Sequence, residues 1–394
     1  MRHALNGIRV LDITQVMAGP YCAMLLCDMG ADVIKVEAPV GDSSRRMAGA
    51  KGSDSPAFNA VNRGKRGTVI DIKTEKGREI VAKLGSTADV LIENYRPGVL
   101  ARNGLGYDRL RAVNPALIYA SISGYGQTGS DSTRGGFDLV AQGVSGIMSV
   151  TGEPGRPPVK AGIPLTDLGA GLFALAGILA ALHHRGETGE GQYIDTSLVE
   201  AGVALSVWEA TEFLSGGKIP QPLGSAHRMS APYQALECED GYITVGAAND
   251  RLFMRLCEVL GHPEWVAEPD FATDTARVAH RTALAGLIQE VTKRKPRAYW
   301  LKLFNEHGIP GGPINNYQDA LTDEHLKARE MVVNTDHPTL GRMQTLGTPL
   351  KMSGTPLVPG RPAPLLGEHT EEVLLEAGYG MEEIEKFRSK GVVN

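Results

Sequence analysis

At 394 residues, with 42% hydrophobic and 22% charged side chains, the chain has an ordinary globular composition. It exceeds the roughly 250–300 residues at which one hydrophobic core stops growing, so two domains are expected. A net charge of −5 provides no basic excess to recruit nucleic acid.

Residues 7–13 read as a strand, Tyr21–Met29 as a helix closed by Gly30, and residues 31–37 as a second strand. This early strand leaves no room for a secretion signal. Strands at 67–72, 88–93 and 116–122, with a helix at about 74–84, continue the alternation. The pattern predicts an α/β fold with a doubly wound, mostly parallel sheet. The longest apolar run, 168–182, is broken by Gly and Ala and falls short of the ~20 residues that cross a bilayer, so it reads as a buried helix with no membrane role. A helix over Ser197–Leu214 and a Gly/Pro-rich stretch at 215–224 follow. Then come a hairpin around Asp240-Gly241, helices at 251–260, 281–292 and 297–307, a strand-like tail from Met331, and two short helices near 370–376 and 382–388. The expected domains are a large one from 1–200 and 331–394 and a small α+β one at 225–325, with linkers at 201–224 and 326–330. The four cysteines have neither metal-ligand spacing nor an extracellular context and read as reduced core thiols of a cytoplasmic protein.

Residues 123–129 match G-x-G-x-x-G after a strand, but residues 130–136 cannot promptly open the helix that a dinucleotide pyrophosphate needs. Phosphate-loop and metal-ligand spacings are absent, and His183-His184 suits the last turn of the long helix. Basic residues follow the strands: Arg45, Arg46, Arg63, Lys65, Arg66, Lys73, Arg96, Arg102 and Arg134. They fit either a solvated surface or phosphate recognition at the carboxyl ends of an open sheet. Asp167, at the mouth of the small-residue helix, admits two roles. It is an N-cap, or a carboxylate that the helix dipole keeps ionised as a nucleophile toward an activated acyl group.

Several separate segments settle that choice by likeness. They are residues 7–12 with Ala18-Gly19-Pro20, 30–37, Glu93-Asn94-Tyr95-Arg96-Pro97-Gly98, 123–126, Gly136-Phe137-Asp138, the Asp167 segment and 364–370. In them the sequence resembles the class III CoA-transferases along essentially its whole length. Segments 123–129, 224–227, 232–234, 240–243 and 312–316 are most similar to succinyl-CoA:glutarate and related dicarboxylate CoA-transferases.

The resemblance implies a large Rossmann-like CoA-binding domain built from both chain ends, and an interlocked homodimer. It implies CoA thioesters as substrates, with no permanently bound cofactor and no metal. Asp167 becomes the nucleophile, passing through a mixed anhydride and an aspartyl-CoA thioester. Succinyl-CoA is the implied donor, and glutarate, itaconate, citramalate or a similar short diacid the acceptor. CoA contacts carry over to Val16, Met17, Ile70, Lys73, Asn94, Tyr95, Arg102 and Arg134, with Lys73 and Arg102 facing phosphates. The family's glutamine near the nucleophile is Met17 here, an adenine-side arginine is Ala38, and residues 224–234 replace a glycine-run lid. Arg45 and His227 are candidates for the acceptor's second carboxylate, and Asp138 is placed with them at the substrate. Two rivals remain: an α-methylacyl-CoA racemase-like isomerase, which needs a histidine where Phe137 stands, and a non-catalytic CoA-binding protein.

Overall fold

The computed structural model describes residues 3–52, 54–357 and 361–394. The chain forms two compact units, one from residues 1–147, 160–211 and 324–394, the other from 148–159 and 212–323. In the larger unit, β1 (Arg9–Asp12), β2 (Asp32–Glu37), β3 (Arg66–Val69), β4 (Val90–Glu93), β5 (Ile118–Ser123) and β6 (Tyr193–Ser197) make one sheet. Its order is β3-β2-β1-β4-β5-β6 and every pairing is parallel. The order reverses between β1 and β4, the place where open α/β sheets bind ligands.

Alternate strand residues supply two cores. Val10, Ile92 and Ala120 pack with α1 (Ala18–Asp28) and α4 (Leu165–Thr188). Leu11, Leu91 and Tyr119 pack with α2 (Glu75–Gly85) and with Val373, Leu374, Ile384 and Phe387 from the tail. The tail is stitched to β3, with His369 N donating to Gly67 O at 2.8 Å and Val69 N to Thr370 Oγ1 at 3.1 Å.

Three local expectations need correction. First, β6 was absent from the predicted strands because its alternation, Tyr-Ile-Asp-Thr-Ser, is largely polar. Second, the single helix expected over 197–214 is two, α5 (Leu198–Leu205) and α6 (Val207–Gly216). Ser206 ends the first by donating its hydroxyl back to Gly202 O at 3.0 Å, a local bond that competes with helix continuation. Third, α4 runs 24 residues and is long and apolar enough to cross a membrane, so length alone does not exclude a span. Burial does: Ala170, Ala174, Ile178 and Ala181 are fully enclosed, which makes it a core helix.

The smaller unit has a three-stranded antiparallel sheet of β7 (Tyr233–Cys238), β8 (Gly241–Gly246) and β9 (Gly311–Pro313). Helices Asp250–Leu260, Arg281–Thr292 and Arg297–Glu306 cover it around Leu236, Phe253, Ile288 and Trp300. The hairpin turn is Glu239-Asp240, and Gly241 already pairs with Cys238 at φ 137°. Residues 148–159, which the linear pattern assigns to the large domain, belong to this unit. Gly224 N donates to Gly152 O at 2.9 Å, and a side chain at Gly224 would collide with Glu153.

Candidate active site

Because β1 and β4 are neighbours, the loops that follow them lie side by side. Asn94 clasps them together: its Oδ1 accepts from Gln15 N at 2.9 Å and its Nδ2 donates to Gln15 O at 2.8 Å. Gln15 Nε2 donates to the Tyr95 hydroxyl at 3.2 Å. Glu93, at the end of β4, accepts from Tyr95 N at 2.8 Å, and burial pushes its carboxyl up to about 7. Next to Gln15, Val16 sits at φ 68°, a left-handed conformation that costs a β-branched residue on the order of 1–3 kcal/mol. Its amide is fixed by the Asp42 carboxylate at 3.2 and 3.3 Å. Asp42 in turn accepts from Ser44 N at 2.9 Å and faces Lys35 at 3.3 Å.

Beneath these loops lies a layer of paired charges, most of them buried. Lys65 bonds Asp12 at 2.7 Å, and Lys35 donates to Thr14 O at 2.9 Å, with both lysines fully buried. Burial alone would raise the Asp12 carboxyl, but Lys65 and Lys35 hold it down to about 2. Arg45 spans Glu37 at 2.7 Å and Asp54 at 3.1 Å and stacks 3.6 Å from the centre of the Phe58 ring. Arg63 pairs with Asp28, and Arg66 with Asp32, Glu372 and Glu376. Four of the cations that the sequence leaves to solvent or phosphate are therefore internal ion pairs. Arg45 in particular is corrected: it is 1% exposed with its fork taken by two carboxylates, so it does not face an acceptor acid.

Asp167 occupies the first turn of α4, three residues after Pro164, the residue at the cap position. It does not cap its own helix. That role falls to Asp138, at the start of α3 (Asp138–Val144), whose Oδ1 accepts from Thr166 N at 3.0 Å and Thr166 Oγ1 at 2.8 Å. Gln142 holds the other Asp138 oxygen at 2.7 Å. The Asp167 carboxylate itself makes no hydrogen bond among the described residues. Burial, and then the Asp138 charge, push it up to about 6. These effects outweigh the helix dipole, which the sequence suggests would keep it fully ionised.

Glycines set the spacing around it. A Cβ on Gly171, one turn below Asp167, would lie 2.7 Å from Ala18 O, so α4 and α1 touch backbone to backbone. Gly124 and Gly136 approach as closely, since a Cβ on Gly136 would meet Gly124 Cα at 2.6 Å. Within the 123–129 motif Gly124 thus serves loop packing, Gly126 and Gly129 turn the chain at positive φ, and the next helix opens only at Asp138.

A cavity of about 280 Å³ brings Asp167 together with Val16, Met17, Asn94, Tyr95 and Arg134, five of the expected CoA contacts. Phe137 also lines it. A second cavity of about 410 Å³ holds Lys73 and Ala38 and shares Gln15 and Tyr95 with the first. Arg134 also pairs with Asp131 at 2.8 Å and lies over the Tyr125 ring.

Other expected residues lie elsewhere. Ile70 is buried at the sheet edge, its amide donating to Glu37 O, and it lines neither cavity. Arg102 is exposed and lines neither cavity, its guanidinium lying over Gly98. His227 belongs to the smaller unit, stacked on Tyr233 with Nδ1 accepting from Met229 N at 3.2 Å, and it does not line the Asp167 cavity. Asp138 acts one layer back, as the cap just described.

Gln15, Asp42 and Glu93 are site residues that sequence reasoning missed. One signal was present: Lys35 and Glu37 interrupt a strand of a parallel sheet, where near-continuous apolar residues are the norm.

Residues 5–370 match the model of CoA-transferase family III. A succinyl-CoA:glutarate CoA-transferase from Homo sapiens is 39% identical over 99% of this chain and 90% of its own. A succinyl-CoA:mesaconate CoA-transferase from Haloarcula hispanica is 40% identical over 96% of this chain and 97% of its own. The crystal structure of a CAIB/BAIF family protein from Brucella suis superposes with a TM-score of 0.84 at 40% identity, covering 96% of this chain and all of that one.

Proposed function

The chain belongs to CoA-transferase family III, and on that premise we propose that it moves CoA from succinyl-CoA to a short dicarboxylic acid, with Asp167 as the nucleophile. The observation that carries this reading is the Asp167 carboxylate, half-buried and without a hydrogen bond among the described residues, in a cavity walled by Val16, Met17, Asn94 and Tyr95. A carboxylate without hydrogen bonds keeps its lone pairs for an acyl carbon.

Asp167 attacks the donor thioester carbonyl and expels CoA thiolate, leaving a mixed anhydride. The thiolate attacks the aspartyl carbonyl of that anhydride, releasing the donor acid as its carboxylate and forming aspartyl-CoA thioester. The acceptor carboxylate then attacks this thioester and frees the thiolate again. The thiolate takes the acceptor acyl group, and Asp167 leaves as it began. Each thioester broken is matched by one formed, so the sequence needs no external energy source. Lys73, in the adjoining cavity, suits the phosphate end of the donor.

The dicarboxylate class rests on the relatives, which act on glutarate and mesaconate. Within that class, a methylene is worth only ~1–3 kcal/mol in a pocket. The racemase reading finds no support at Phe137, which has no proton to exchange. A homodimer completes the proposal, supported by the apolar side chains that the single chain leaves exposed.

Incubation with succinyl-CoA and hydroxylamine is expected to convert Asp167 to a hydroxamate, detectable by peptide mass, and to end turnover. Asp167→Asn should be inert and untrapped. An acceptor screen should yield new acyl-CoA from dicarboxylates. Turnover only with monocarboxylates, or binding of CoA with neither trapping nor turnover, would refute the proposal.

A further inference from the structure

We propose that Asp42 and Asn94 are positioning residues whose task is to hold Val16 in its left-handed conformation, which sets the wall of the cavity facing Asp167. The inference rests on the CoA-transferase reading of that cavity. The backbone turns sharply at Val16 to pass from β1 into α1, and a β-branched residue does not stay at φ 68° unless its surroundings impose it. Two clamps do so from different elements. Asn94 fixes both the N–H and the C=O of Gln15, just before the turn, and Asp42 takes the N–H of Val16 itself.

Neither clamp is free to drift. Asp42 is tied to Lys35 and to Ser44 N and Oγ in the buried charge layer, while Asn94 directly follows β4, whose last residue, Glu93, pins the Tyr95 amide on its far side. The turn brings Gln15, Val16, Met17 and Ala18 to the cavity in sequence. It leaves the Met17 and Ala18 amides, the first of α1, without a hydrogen bond among the described residues. Released from its clamps, Val16 would relax to negative φ, and the backbone from 15 to 18 would leave the position from which it meets the thioester.

Glycine separates this role from direct contact, because it adopts φ near 70° without support. Asn94→Ala and Asp42→Ala are expected to lower kcat/KM for the acyl-CoA donor about 10-fold to 100-fold, chiefly through kcat. In a Val16→Gly background the same substitutions should cost only about 2-fold to 3-fold, because the strain they restrain is gone. Equal losses in both backgrounds would overturn the proposal and mean that the side chains act by touching ligand or by general stability. Should Asp42→Ala fail to fold, because buried Lys35 loses its ion-pair partner, the cycle stands on Asn94→Ala, whose side chain is only half-buried. Hydroxamate formation by the unsubstituted protein is measured alongside. Its absence indicts the CoA-transferase reading, whereas trapping without rescue by glycine indicts the clamp alone.

Discussion

Asp167 stands in the first turn of α4 without capping it. Its place at a helix mouth is visible in the sequence, but the cap is Asp138, whose partner Thr166 is 28 positions away. That pairing has a kinetic consequence. With the carboxyl pushed up to about 6 by burial and by Asp138, and with the ionised form as nucleophile, kcat/KM should fall as pH drops below about 6. The same shift opposes stability. The folded state keeps the proton that the unfolded chain releases near its ordinary value, so stability declines as pH rises from about 4 through about 6. Asp138→Asn keeps an oxygen for Thr166 but removes the charge, and the acid limb of the pH–rate profile should move to lower pH. The Gln142 bond is lost in exchange, at about 1 kcal/mol of stability. An acid limb left in place would show that burial alone sets it. What was legible here was the carboxylate's place at a helix mouth. Its electrostatics were not, because they depend on a neighbour brought in by the fold and on loss of solvent, neither of which leaves a local pattern.

Among the elements, the apolar strands and the helices with Gly or Asp punctuation lie close to where the sequence predicts them. The failures have causes: β6 is too polar to read as a strand, and the Arg and Lys residues that follow β2 look solvated because their partners, such as Asp54 for Arg45 and Glu376 for Arg66, belong to other segments. The small-residue composition of α4 is legible, but its purpose is visible only against α1. Gly171 lets the two helices meet, one turn from Asp167 and next to Met17, which line the same cavity. Gly171→Ala would place a methyl 2.7 Å from Ala18 O and 3.3 Å from Tyr21 Cδ1. The helices must part, and a shift of ~1 Å at a reacting group costs on the order of 100-fold. We expect kcat/KM to fall by about that factor, with a lower Tm. Gly186, in the same helix, has nothing within 4 Å, so Gly186→Ala should leave turnover alone and add about 0.5–1 kcal/mol of stability. Equal effects at the two glycines, read by steady-state kinetics and thermal unfolding, would remove the argument that α4 is registered on α1 at this point.

At the scale of the whole molecule, the exposed apolar side chains are the feature that one chain leaves unexplained. Helix α6 buries none of its residues, Leu214 is 80% exposed, and Phe137, which lines the Asp167 cavity, is 77% exposed. Exposed apolar side chains of this size are what association surfaces cover, so a second copy of the chain is the expected cover. A copy that covers Phe137 would also complete one wall of the cavity, which ties activity to assembly. Two measurements test the proposal that the copies form an interlocked pair. Sedimentation should give twice the chain mass with no monomer on dilution, because threaded chains cannot part without unfolding. Tm should rise with protein concentration, since unfolding then releases two chains. Leu214→Glu should lower both Tm and turnover together, as the charge would be buried without a partner in the assembled state. A folded, active monomer with a concentration-independent Tm would show that these side chains serve something other than self-association.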